Sequence, residues 1–214
     1  TNRSPSPTEG AQDVQIRPAP SLKLLAIGVS TGGPIALQSI LPALPADFPI
    51  PVAVSQHMPP QFTQSLAERL NDRSALAVRE AEDGMPLEAG RAVVAAGGYH
   101  LTFDRSGARP VVRTPERPKD TSHTPSINAM LHSGADAFGG DILAVIMTGM
   151  GKDGLEGTRR IKRNGGTVFA QDEASSVVYG MPKAVVEEGL ADAVLPLEGL
   201  ADAIGKAVGT PARL

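Results

Sequence analysis

The chain of 214 residues contains no cysteine and no tryptophan, and aromatic residues make up 3% of it. Without thiols there can be no disulfide, no thiolate nucleophile and no cysteine-bound zinc. With so few rings, the core must be built mostly from Ala, Val, Leu and Ile. The 20 Lys and Arg residues do not outnumber the 23 Asp and Glu, and a net charge of −3 offers no basic face to nucleic acid. No apolar run reaches the roughly 18 residues of a membrane span, so no membrane insertion is expected. No stretch has the charged start and apolar middle of a signal peptide, and a cytoplasmic setting is consistent with the missing cysteines. At 41% hydrophobic content, the length suits one well-buried domain.

Residues 1–22 are rich in Pro, Ser, Thr and polar side chains, show no period, and read as a linker ahead of a domain spanning 23–214. From Lys23 onward, continuous apolar runs recur at Leu24–Val29, Val52–Ser55, Ala92–Ala96, Leu143–Met147, Val168–Ala170 and Ala193–Leu195. Such runs suit strands covered on both faces, as in parallel sheets. Helical patterns fill the gaps at Pro34–Leu41, Gln61–Leu70, Ser126–Phe138, Asp153–Arg163 and Met181–Glu188. The alternation predicts a doubly wound α/β fold: a mostly parallel sheet with helices on both faces. A small antiparallel hairpin is predicted from Leu101–Phe103 and Val111–Arg113.

In open α/β sheets, ligands bind beyond the carboxyl ends of the strands, and Ser30, His57, Gly97-Gly98, Met150, Asp153 and Asp172 all fall at such ends. Gly28-Val29-Ser30-Thr31-Gly32 matches the G-x-S-x-G pattern of a nucleophile elbow, whose glycines allow a tight turn and an exposed hydroxyl. The alternative is that Ser30 or Thr31 caps the next helix, or that the loop cradles a phosphate or nucleotide. Against a nucleotide site, there is no G-x-G-x-x-G and no P-loop lysine. His57 is followed by Pro59 and Pro60, which stiffen its loop. Of the other histidines, His132 falls on a helix, while His100 and His123 lie in loops that could border the site. Their spacing matches no metal motif, and no metal or cofactor is expected.

Asp153-Gly154-Leu155-Glu156 reads as a capping box, a role compatible with a second one as the acid of a triad. The preceding Gly149-Met150-Gly151 offers backbone N–H groups suited to an oxyanion, with further donors expected near His57. Asp172 is the rival acid, since geometry and not spacing defines a triad. The order Ser, His, acid along the chain does not match the Ser, acid, His order of the α/β-hydrolase superfamily.

Taken together, the motifs resemble the catalytic domain of the protein-glutamate methylesterases of bacterial chemotaxis. The resemblance rests on Gly28-Val29-Ser30-Thr31-Gly32-Gly33, Gln56-His57-Met58-Pro59-Pro60, Glu80-Ala81-Glu82-Asp83-Gly84, Gly97-Gly98-Tyr99-His100 and His123-Thr124-Pro125-Ser126. It continues through Thr148-Gly149-Met150-Gly151-Lys152-Asp153-Gly154 and the run from Gln171 to Pro182. It implies Ser30 as nucleophile, His57 as base and Asp153, not Asp172, as the acid. Met150, through its backbone N–H, would help hold the oxyanion, with Thr31 beside the nucleophile. Thr124 and Asn128 stand where the family more often has Arg and Asp.

The implied reaction is demethylation of glutamate γ-methyl esters on chemoreceptors, with deamidation of receptor glutamines as a second activity. The rival from within the same fold is a regulatory scaffold that has lost catalysis. The partners implied are methyl-accepting chemotaxis receptors, an amino-terminal receiver domain and its histidine kinase. Residues 1–22 do not correspond to a receiver and resemble the linker that follows one, so this chain is expected to be active without phosphorylation.

Overall fold

A computed structural model describes residues 16, 18, 19, 21–105, 107, 110–116 and 123–210. Seven strands form one sheet, parallel throughout, in the order β3-β4-β2-β1-β7-β8-β9. In chain order these are β1 (Leu24–Val29), β2 (Val52–Gln56), β3 (Ala77–Glu80), β4 (Arg91–Val94), β7 (Ile142–Ile146), β8 (Thr167–Gln171) and β9 (Ala193–Leu195). The hairpin β5 (Thr102–Asp104) and β6 (Val111–Arg113) is a separate antiparallel pair, as the sequence predicts. Every residue of β1, β2 and β7 is buried, which is why these strands read as unbroken apolar runs.

Helices cover both faces. Leu37 and Ile40 of α1 (Gly33–Ile40), Leu66 and Leu70 of α2 (Pro60–Arg73), and Leu200 and Ile204 of α6 (Leu197–Val208) pack with Leu25, Ile27 and Val29. The opposite face takes α3 (Ile127–Phe138), α4 (Leu155–Arg163), α5 (Met181–Glu187) and the hairpin, through Met130, Leu131, Ile161, Val185 and Phe103. The doubly wound α/β fold is therefore present as expected.

The structure adds a strand and an α-helix, β3 and α6, with a short 3-10 turn at Leu41–Ala43, and corrects one local reading. The edge strand β3 has Val78 as its one fully buried residue, so it carries no apolar run, and α6 buries Leu200 and Ile204 among small residues. The capping box at Asp153-Gly154-Leu155-Glu156 does not form: the N-cap of α4 is Gly154, in the left-handed region at φ +100°, and the Asp153 side chain turns toward α3. Of the expected linker, residues 1–15, 17 and 20 lie outside the described residues; Ala19 N–H donates to the Ala207 carbonyl of α6 at 2.8 Å.

Candidate active site

The strand order reverses between β1 and β7: the chain first builds outward through β2, then returns to add β7 beside β1. A doubly wound sheet opens a crevice at such a switch point. Ser30 follows β1, Met150 follows β7, and His57 follows β2 on the other side of β1. The Ser30 N–H donates to the Thr148 carbonyl at 3.0 Å, and the His57 N–H donates to the Val29 carbonyl at 3.1 Å. The three loops are thus fastened to one another by the sheet that ends beneath them.

The glycines around Ser30 serve different ends. Gly28 lies inside β1, where a Cβ would come within 2.5 Å of Ile127 Cγ2, so its place is set by the packing of α3. Gly32 alone of the two turns the chain, at φ +84°, and is the N-cap of α1 without a side-chain capping bond. Neither Ser30 nor Thr31 caps that helix. Ser30 Oγ has no hydrogen-bond partner among the described residues. Gly149 sits against the same serine, where a Cβ would come within 2.7 Å of Ser30 Cβ.

His57 and Asp153 meet across the crevice. His57 Nε2 lies 2.7 Å from Asp153 Oδ2, with side-chain exposures of 10% and 7%. Asp153 Oδ2 also accepts the Ile127 N–H at 2.8 Å, and Oδ1 accepts the N–H groups of Asn128 and Gly154 and the Ser126 hydroxyl. Burial alone would raise the Asp153 carboxyl. The hydrogen bonds from His57, Asn128 and Ile127, with the attraction of the His57 charge, outweigh burial and hold it below the ordinary aspartate value. A carboxylate at the start of α3 is also favoured by the helix dipole. A His57 imidazole that donates its Nε2–H to Asp153 has its free lone pair on Nδ1.

The remaining sequence candidates fall in three groups. Met150 is 74% exposed on the rim, its N–H without a partner among the described residues, whereas the His57 N–H donates to the Val29 carbonyl. Thr31 is exposed beside Ser30, its carbonyl held by Thr148 Oγ1 at 2.8 Å. Asp172 does not join His57; its Oδ1 accepts the N–H and hydroxyl of Ser175, closing its own turn. His123 stacks on His57, ring centroids 4.3 Å apart and planes 16° from parallel. His100 is buried and its Nδ1 accepts the Ser126 N–H, while His132 lies on α3 away from the crevice.

Several residues that hold the site carried no signal of their own in the sequence. Thr148 Oγ1 ties Thr31 to the Val178 N–H, and Gln171 Oε1 takes the Thr148 N–H while its Nε2 donates to Ser175. Gln56 bridges the carbonyls of Ser30 and His57. All are polar residues at or just past the ends of buried strands, and each falls within a motif that carries the family resemblance, but neither clue gave its contacts. A cleft of about 480 Å³, lined in part by His123, Asn128, Lys152 and Glu156, opens beside Asp153. A second cleft of about 400 Å³ lies apart from these residues, against β3, β4 and the 82–86 loop.

Fold and site define a class: an open parallel α/β protein with a free serine hydroxyl and an imidazole–carboxylate pair at its switch point. Comparison with known proteins narrows this. The model of the CheB methylesterase family matches residues 25–204. A protein-glutamate methylesterase/protein-glutamine glutaminase of Lawsonia intracellularis is 48% identical over 185 residues, 86% of this chain and 52% of that protein. One from Saccharophagus degradans is 45% identical over 199 residues, covering 92% of this chain and 54% of that protein. The crystal structure of the Thermotoga maritima CheB methylesterase catalytic domain superposes with a TM-score of 0.82 at 44% identity, over 84% of this chain and 95% of that one. The chain belongs to the CheB methylesterase family. It spans about half the length of these curated relatives.

Proposed function

We infer that this chain is a serine hydrolase that removes methyl groups from glutamate γ-methyl esters on chemoreceptors and deamidates receptor glutamines by the same route. The observation that carries the reading is the 2.7 Å bond between His57 and Asp153 at the switch point that also bears Ser30, in a chain of this family.

In the proposed reaction Ser30 Oγ attacks the ester carbonyl carbon as His57 Nδ1 takes its proton. Asp153 keeps the Nε2 proton in place and balances the imidazolium. The Met150 N–H would face the oxygen on which charge develops, with Thr31 beside the nucleophile. The C–O bond breaks, and methoxide takes the proton from His57 and leaves as methanol. Water then attacks the acyl-enzyme, giving its proton to His57 and from there to Ser30, and glutamate is released. With glutamine as substrate the leaving group is ammonia. The cleft beside Asp153 gives room for substrate flanking the ester.

The same reading takes residues 23–214 as the catalytic domain and 1–22 as a linker to an amino-terminal receiver domain phosphorylated by a histidine kinase, in the cytoplasm. No helix among the described residues is long and apolar enough to cross a membrane. The test is methanol release from methylated chemoreceptor membranes, without a phosphodonor, by this chain and by Ser30→Ala. Release by the parent alone is expected; equal release by a well-folded Ser30→Ala protein would overturn the assignment.

A further inference from the structure

We propose that Gln56 is a positioning residue for this site, its one amide NH₂ group fixing the loop of Ser30 against the loop of His57; the inference rests on the hydrolase reading above. The paired register of β1 and β2 ends at Val29 opposite Gln56. One residue further on, Ser30 and His57 leave the sheet; the His57 N–H on the Val29 carbonyl is the last backbone bond between the two loops, and the carbonyls of Ser30 and His57 lie beyond the ladder. Their carbonyl oxygens converge on one atom: Gln56 Nε2 lies 2.9 Å from each. Two carbonyls are acceptors only, so the gap between them needs one group with two donors. A glutamine amide nitrogen supplies that pair, a carboxylate supplies none, and asparagine is one methylene too short.

The amide is held there against other demands. Gln56 is 2% exposed, and its Oε1 is buried without a hydrogen-bond partner among the described residues. Turning the amide over to satisfy that oxygen would set it against both carbonyls. The first turn of α1 leaves space for the amide only because residue 33 is glycine, since a Cβ there would lie 2.0 Å from Oε1. The Ser30 carbonyl also accepts the Gly33 N–H at 2.9 Å, so the start of α1, the serine and the histidine loop share one junction. Proton transfer from Ser30 requires His57 within hydrogen-bond reach, and a displacement near 1 Å costs about 100-fold in rate.

Gln56→Met keeps the length and volume and removes both donors. The rate of labelling of Ser30 by a fluorophosphonate, followed by mass spectrometry, and kcat and KM for p-nitrophenyl acetate are compared with the parent per folded molecule. Labelling and kcat are expected to fall about 100-fold with KM nearly unchanged. Val185→Ala, a core deletion in α5, lowers the melting temperature but leaves both rates unchanged per folded molecule. Gln56→Glu gives a second signature: its protonated form regains one donor, so its rate relative to the parent rises as pH falls, while the Met variant's ratio stays flat. Parent-like rates in a folded Gln56→Met protein would overturn the proposal. So would a loss confined to KM, and, where the Met variant does not fold, a flat ratio for Gln56→Glu. A parent that takes no label at Ser30 would overturn the hydrolase reading itself.

Discussion

Asp153 and Asn128 cap each other's helices. The Asp153 carboxylate accepts the Ile127 and Asn128 N–H groups at the start of α3, at 2.8 and 3.0 Å. In return Asn128 Oδ1 accepts the Gly154 and Gly157 N–H groups at the start of α4, at 3.1 and 2.8 Å. The carboxylate that orients His57 is therefore also the anion at a helix start, so stability and imidazole geometry are coupled through one side chain.

Asp153→Asn separates the two demands. The single amide oxygen can serve the α3 N–H groups or His57, and the NH₂ group opposes whichever donor remains. Turnover is expected to fall about 10,000-fold, the scale seen when a triad carboxylate becomes an amide. Loss of the capping anion is expected to cost about 1 kcal/mol of stability. Asp172→Asn disturbs only the turn closed with Ser175 and is expected to leave turnover within about tenfold, the scale of losing one hydrogen bond. Methanol release and urea denaturation measure both, and the opposite ranking would move the acid to Asp172.

Acid should destabilise the fold in two separate windows. The His132 imidazole is held below its ordinary value of 6.5, first by burial and then by Arg160 and Arg163, with Asp136 and Glu156 opposing. The unfolded chain therefore binds that proton first, and stability is lost as pH falls from about 6.5 toward the folded value. Asp153 is also held low, so its contribution is complete above 3.8 and disappears as pH falls through its folded value. Urea midpoints against pH should show both slopes in the parent, only the lower in His132→Gln, and only the upper in Asp153→Asn. A midpoint curve for His132→Gln that parallels the parent between pH 6.5 and 4.5 would remove His132 from the account.

Gly149→Ala tests how closely the loop after β7 is fitted to the serine. The added methyl would meet Met181 Sδ at 2.5 Å and Ser30 Cβ at 2.7 Å. The thioether can swing aside, but Ser30 cannot move without shifting the carbonyl held by Gly33 and Gln56. Overpacking of this kind costs about 1–3 kcal/mol. The expected outcome is a loss of kcat larger than that stability change alone produces, read by serine labelling per folded molecule. Labelling at the parent rate would show that the loop yields instead.

The layout of strands was legible because buried parallel strands leave apolar runs, and six of the seven did so. β3 escaped because this edge strand has one fully buried residue, Val78, and ends in the charged pair Arg79-Glu80. α6 escaped because four of its six buried residues are the small Ala201, Ala203, Gly205 and Ala207, which carry little periodic contrast. At the site, strand ends pointed to Ser30, His57 and Asp153, whereas the capping pattern at Asp153 misled. Its spacing fits α4, but Gly154 turns the chain so that the carboxylate meets α3, a partner distant in sequence. The His57–His123 stack was illegible for the same reason: it joins loops 66 residues apart, His57 after β2 and His123 before α3.

That stack makes the last prediction. His123 lies with its ring 4.3 Å from that of His57 and nearly parallel to it, covering one face of the imidazole. In the proposed reaction His57 gains a proton from Ser30, and an aromatic face beside it would favour the cation and keep water from that side. An aromatic pair contributes about 0.5–1.5 kcal/mol beyond its buried area, which bounds the loss near tenfold. His123→Phe, which keeps the flat ring and removes its nitrogens, is therefore expected to retain kcat within a few-fold on a small ester. His123→Ala should lose about tenfold with little change in KM. Equal losses in both would mean that His123 acts through a ring nitrogen, and no loss in either would show that the stack is idle in the reaction.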